Sequence, residues 1–275
     1  MDVGNLLVLK TEPNKKIGQK NHFEIAYSNI SLLLIWNGPT MQIVDKFSVS
    51  VTAAEFLGFQ MHGKEANPAI LKDAESAIGA ARGLIQPTII YHLYDVVSRD
   101  NGVVSISSEE TGVSGALHIG ENASLLDKAK KVMISVYTIG PELEKKAGHL
   151  SNGDDFMAGY MLDSAGLVFL RKVGDVSREI AEKEAAERNW GVGQSLSPGS
   201  LKGWDVSGQD ELVRYVDAEK IGIMLNKSGF LVPLKSVSHI VGMGPEFTSR
   251  KVGSICHLCD LYKTCPYRRI TRESN

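Results

Sequence analysis

Apolar side chains recur at three- and four-residue spacing in NPAILKDAESAIGAARGLIQP, at Ile70, Leu71, Ala74, Ala77, Ile78, Ala81, Leu84 and Ile85. Such a stripe predicts a helix with one buried side. Asn67 suits its N-cap with Pro68 in the first turn, and Pro87 follows its end. The period then changes. TIIYHLYDVV, from Thr88, is β-branched and aromatic and predicts a strand, with His92 inside it as a core or sheet-edge histidine. Upstream, Asn5 to Lys10, His22 to Tyr27 and Ser31 to Trp36 read as short strands broken by Asn, Pro and Gly. The first 45 or so residues form either a hairpin-rich layer or an N-terminal arm.

Downstream, SISSEETGVSGALHIG reads as a Gly/Ser-rich connection. A strand follows from about Val132 to Ile139, then a Gly-Pro turn and an amphipathic helix in PELEKKAG. A helical pattern runs from near Asp155 to Arg188, with Gly174 marking a break or kink. Glu184 and Arg188 stand four apart on its exposed side. Past Trp190, GVGQSLSPGSLKGWD reads as a loop. VSGQDELVRYVDAEKIGIML predicts a short capped helix and a strand, and NKSGFLVPLKSVSHIVGMG a turn and a further strand. Helices and strands alternate too loosely for clean βαβ units, and no strand leads into G-x-G-x-x-G. The class is α+β with a mainly antiparallel sheet flanked by helices.

A chain of 275 residues buries roughly 75% of its unfolded surface, enough for a core without disulfides or metal. A formal net charge of −2 removes any overall electrostatic pull toward nucleic acid. No apolar run reaches membrane-spanning length, and the start lacks a secretory pattern. Three cysteines, an odd number in one segment, do not resemble an extracellular disulfide framework, so a reducing cytoplasm is expected. The last thirty residues carry six Lys/Arg against three Asp/Glu, a local net of +3 that suits an acidic partner or a solvated end.

The Gly/Ser-rich stretch after Trp190 presents backbone N–H groups closely, which suits a carboxylate or phosphate and equally a tight turn. Trp190 and Trp204 flank it, as stacking platforms or as anchors to the core. Lys235 meets an anion or snorkels, and His239 reads as structural.

Four segments carry a resemblance: VTAAEFLGFQMHGKEANPAILKDAESAIGAARGLIQP, VMISVYTIGPELEKK, the stretch from MLDSAGLVFL through SLSPGSLKGWDVSGQDELV, and IGIMLNKSGFLVPLKSVSHIVGMG. In this order, over about Ser48 to Gly244, the chain resembles the S-adenosylmethionine-binding activation domain of cobalamin-dependent methionine synthase, in free-standing form. The resemblance implies a curved domain with a twisted antiparallel sheet. It divides the chain into a strand-rich extension (1–45), an activation-like domain (46–245) and a cysteine-containing basic tail (246–275). It also implies service to a corrinoid protein or corrinoid-dependent methyltransferase in anaerobic metabolism, with cobalamin brought by that partner. The family loop reads Arg-x-x-Pro-Gly-Tyr; here Ser195 stands at the arginine and Ser200 at the tyrosine, while Pro198 and Gly199 are kept. A serine lacks the bidentate fork that arginine offers a carboxylate, so weak or no S-adenosylmethionine binding is expected. The candidate cleft comprises Ser195, Ser197, Pro198, Gly199, Ser200, Gln209, Lys235 and Ser236.

The family domain has no counterpart to SICHLCDLYKTCPYRR. Cys256, Cys259 and Cys265 form C-x2-C-x5-C, with His257 between the first two. Three thiols in ten residues point to metal, redox or structural use, metal being the closest fit. A [4Fe–4S] cluster with one non-cysteine or open position is one occupant. Zinc with His257 or His239 as fourth ligand is another. Arg268 and Arg269 would offset added negative charge. The expected role is an accessory redox or reactivation factor. The alternatives are a zinc-stabilised docking module and an S-adenosylmethionine-dependent methyl-transfer accessory.

Overall fold

The computed structural model describes residues 21–27, 30–36, 41–61, 68–153, 155–259, 262–263 and 265. The expected strand at Asn5 to Lys10, the Asn67 cap and the Arg268–Arg269 pair lie outside them.

The centre of the fold is an antiparallel pair, β4 (Thr88–Asp100) and β7 (Lys131–Thr138), in register from Thr88↔Thr138 to Asp95↔Lys131. On one side β3 (Gln42–Lys46), β2 (Ile30–Trp36) and β1 (Asn21–Tyr27) widen the sheet in turn. On the other, β11 (Ser236–Gly244) pairs β7, and β8 (Gly191–Leu196) pairs β11. The far half of β4 carries a hairpin of β5 (Val103–Ser108) and β6 (Val113–His118). All these pairings are antiparallel. A separate two-stranded ribbon, β9 (Met224–Leu225) with β10 (Leu231–Val232), leads into β11.

Strand alternation gives this sheet two apolar faces, and both are covered. Ile89, Tyr91, Met133, Tyr137, Val241 and Met243 meet the helices α1 (Ala53–Met61), α2 (Pro68–Arg82), α3 (Glu142–Ser151) and α4 (Phe156–Ala186). Ile90, Tyr94, Val132, Ile134, Val136 and Ile240 meet α5 (Gln209–Val216) and the β5–β6 hairpin. The α2 stripe forms as its spacing predicts, with Ala74, Ala77, Ile78 and Ala81 buried. At 31 residues α4 is the spine, roughly 45 Å long at 1.5 Å per residue. Asp155 caps it by accepting the Ala158 N–H at 3.1 Å. No helix among the described residues is long and apolar enough to cross a membrane.

Three expectations are corrected. The Gly/Ser-rich connection is the β5–β6 hairpin: its serines alternate with Val104 and Ile106, and Tyr215 Oη bonds both the N–H and the carbonyl of Ala116 at 2.9 Å. The helix does not break at Gly174. The glycine lies against the Tyr137 hydroxyl, where a Cβ would collide, so it serves a close helix–sheet approach. The first six residues after Trp190, Gly191–Leu196, are strand β8, and the loop begins only at Ser197. Gly191 gives room to the backbone of Phe247, which passes across it.

The same geometry separates two helical glycines. Gly79 on α2 has nothing within 4 Å of an added Cβ, whereas Gly159 on α4 would meet Ser151 N at 2.7 Å and Ala147 O at 2.8 Å. Gly79→Ala should stabilise by about 0.5–1 kcal/mol through helix propensity. Gly159→Ala should destabilise, since overpacking against backbone costs ~1–3 kcal/mol. Urea denaturation of both variants checks the pair; a neutral or stabilising Gly159→Ala would contradict the α3–α4 contact.

Candidate functional site

The site residues gather around the C-terminal end of β8. Between Val192, opposite Met243, and Ser195, opposite Val241, β8 carries one residue more than β11. This bulge reverses the side-chain parity, so Ser195 rather than Gln194 shares the face of Val241 and reaches His239 diagonally. Ser195 Oγ lies 2.8 Å from His239 Nδ1, and His239 Nε2 lies 2.8 Å from Ser177 Oγ on α4. Ser177 continues to Ser135 Oγ at 3.0 Å. Both ring nitrogens of His239 are therefore engaged and the residue is 2% exposed. Burial, helped by the Arg178 charge, pushes its pKa down to about 3. It is a neutral histidine, and both of the nitrogens it would offer a zinc ion are occupied by serine hydroxyls. His92 is likewise buried, 2.7 Å from Ser108 Oγ, with burial lowering its pKa.

Beyond Leu196 the chain forms a tight loop. Gly199, at φ +76°, donates its N–H to Trp204 O at 2.8 Å, and Ser200 N–H turns back to Ser197 O at 3.2 Å. Pro198 has no N–H to give. The backbone donors of this loop that the sequence offers to an anion are thus turned inward, apart from that of Ser197. Trp204 is a buried anchor rather than an exposed platform; its Nε1 is among the few buried polar atoms without a partner. Gly199 approaches Val206, one turn before α5, where Gln209 Nε2 donates to Gly229 O at 3.0 Å. The loop and Gln209 are neighbours. Lys235 is not part of this group: it is buried beneath α4 and paired with Asp163. Ser236 points to the opposite face, in line with Ile240, and its hydroxyl has no partner.

The tail is tied to the same place. After β11 the chain doubles back and lies parallel to the outer edge of β8, with Gln194 bridged to Gly253. Val192 N–H donates to Ser249 O at 2.8 Å, Gly253 N–H to Gly193 O at 3.1 Å, and Ser195 N–H to Gly253 O at 3.0 Å. Glu182 on α4 holds it from the side, accepting the Val252 N–H at 3.0 Å and Lys251 Nζ at 2.6 Å. Ile255 then enters the apolar cluster of Leu196, Leu201 and Trp204. The next residues, Cys256–Leu258, make a 3-10 turn in which Cys259 N–H donates to Cys256 O at 3.2 Å. Cys256, Cys259 and Cys265 are half-buried, outside any disulfide, and His257 is exposed. Among the described residues no group of three or more His, Cys, Asp or Glu side chains is close enough to hold a metal ion.

Sequence reasoning missed Ser135, Ser177 and Glu182. Ser135 sits in an apolar run and Ser177 among the charged residues of a helix, and neither gave a signal. Glu182 lies in a helix half rich in Glu and was not singled out. A polar stretch rich in Ser and Gly after a long strand was the available hint of the edge pairing.

No protein-family model matches this chain, and no curated protein does. Among solved structures it is similar to a crystal structure of the MetH reactivation domain bound to AdoHcy. The identity is 14% and the TM-score 0.53, covering 81% of this chain and 86% of that one. The likeness is one of fold, the mixed helix and antiparallel sheet described above.

The buried imidazole has a pH signature. Its pKa falls from 6.5 in its ordinary state to about 3 in the fold, so between those values the unfolded chain binds the extra proton. The stability it supports is complete above this window and declines as pH drops through it, with a slope approaching ~1.4 kcal/mol per pH unit. Denaturant midpoints taken from neutral to mildly acidic pH should fall less steeply in His239→Gln than in the wild type. Equal slopes would place His239 in contact with solvent.

Proposed function

We propose that this protein is an accessory factor for a corrinoid protein or corrinoid-dependent methyltransferase, with an iron–sulfur centre on its C-terminal cysteines that serves reduction of the corrinoid. The observation that supports this most is one of placement. A chain with the fold of the MetH reactivation domain carries its only thiols, three in ten residues, on a segment pinned to the end of its edge strand. In this reading residues 46–245 are the docking scaffold, the strands β1, β2 and β3 of the N-terminal extension widen its sheet, and 246–275 bear the metal.

The donor set is suited to iron–sulfur or zinc. Cys256 and Cys259 flank a single turn, as two ligands to one metal do, and Cys265 follows after a short connection. Among the described residues no three such side chains are close enough to hold a metal, so binding would draw the thiols together. A fourth position falls to His257, the partner or an external ligand. When bound, such a cluster supplies one-electron transfer; the scaffold supplies position. Ser195 gives no support for S-adenosylmethionine: its hydroxyl is engaged by His239, and it has no charge to offer a carboxylate.

Anaerobic purification with measurement of iron, sulfide and zinc tests this reading. The expected result is brown protein holding about four iron and four sulfide per chain, with visible absorption that bleaches on dithionite. Cys256→Ser, Cys259→Ser and Cys265→Ser should each lower the iron content, and calorimetry with S-adenosylmethionine should give little or no binding. Colourless protein with stoichiometric zinc would replace the relay with a docking module. Tight S-adenosylmethionine binding without metal would favour the methyl-transfer alternative.

A further inference from the structure

Parallel strands advance together, at about 3.3 Å per residue. At the isolated Gln194–Gly253 bridge the two chains run in the same direction, so the residues that follow leave it from neighbouring positions. On β8 these are Ser195, Leu196 and the Ser197–Ser200 loop; on the returning chain they are Ser254, Ile255 and Cys256. The Ser195 N–H to Gly253 O bond is one of the two that make this bridge, and it sets the point from which both chains run on in the same direction. Ile255 is buried in the same apolar face of the sheet as Leu196, Leu201 and Trp204, the residues that flank the loop on both sides. Ser254 Oγ accepts the Cys256 N–H at 3.2 Å and starts the cysteine turn there.

We propose that the Ser197–Ser200 loop and the cysteine segment are two walls of one site, and that Glu182 is the positioning residue that keeps them in register. Glu182 engages two consecutive residues of the strap with its two carboxylate oxygens. Its own side chain is 15% exposed, so its bond to the Val252 N–H is partly sheltered from water, whereas its bond to Lys251 lies at the surface. The β8 edge contributes three backbone bonds, and Glu182 adds a charged anchor from α4 that prevents the strap from sliding along that edge. The site's ligand meets thiolates on one side and the exposed Ser200 hydroxyl on the other. The inference rests on the proposed function only in taking the cysteines as the working group.

The test uses the full chain after chelator treatment. In a Cys259→Ser, Cys265→Ser background, Ser197→Cys is treated with a short bis-maleimide, and the peptides are mapped by mass spectrometry. A cross-link between the introduced thiol and Cys256 is expected; a folded variant that gives none overturns the shared site. In the otherwise native chain, Glu182→Ala should speed alkylation of Cys256 by about tenfold, the factor expected for one charge-assisted hydrogen bond. Glu182→Gln, which keeps one acceptor, should fall between. Both should keep the wild-type circular dichroism, and Glu182→Ala built into the cross-linking chain should lower the yield. Wild-type labelling rates in both Glu182 variants would overturn the positioning role. Iron content is read on the wild type separately. Cross-linking without iron leaves this inference standing and removes the cluster; iron without cross-linking does the reverse.

Discussion

β7 and β11 have helices over one face of the sheet and α5 with the β5–β6 hairpin over the other, so neither strand meets water along most of its length. That double cover decides what its polar side chains can do. A buried hydroxyl or imidazole is tolerated when it has a partner, and His239 has two, within a line of hydrogen bonds from Ser135 to Ser195. Lys235 is neutralised by Asp163 at the margin of the same face. Polar groups that look promising for chemistry in the sequence are in this way drawn into holding α4 on the sheet. The groups that stay available lie where the cover ends, at the tip of β8.

Periodicity made the helices and the central strands legible. The α2 stripe, the β-branched run of β4 and the apolar run of β7 all name their own geometry. The β5–β6 hairpin and β8 were not legible as strands because serine and glycine carry no strand preference of their own. At Gly174 the residue reports what is packed beside it rather than what its own backbone does. The tail's pairing was hidden for a related reason: a polar stretch held by backbone bonds and one distant carboxylate leaves no pattern along the chain.

The candidate site was half visible. The cysteines announced themselves by spacing. Grouping Lys235 with the Ser-Pro-Gly loop did not survive folding, since side-chain parity and the bulge decide which face each residue takes, and neither can be read without the register. Ser195 is instructive. The structure gives its hydroxyl to His239, so it is tied into the hydrogen-bonded line under α4. Likeness of fold at this identity conveys where loops emerge, while the chemistry at those loops belongs to this chain.

The strap along β8 also covers hydrogen-bonding groups that would otherwise face outward. An uncovered strand edge recruits other strands, including those of neighbouring molecules. Chains cut short after Gly244 would therefore tend to associate edge to edge, and any loss of activity would be confounded with loss of solubility. The cysteine tail of this protein cannot be treated as a detachable appendage, and point substitutions separate its chemistry from its architecture where deletion cannot.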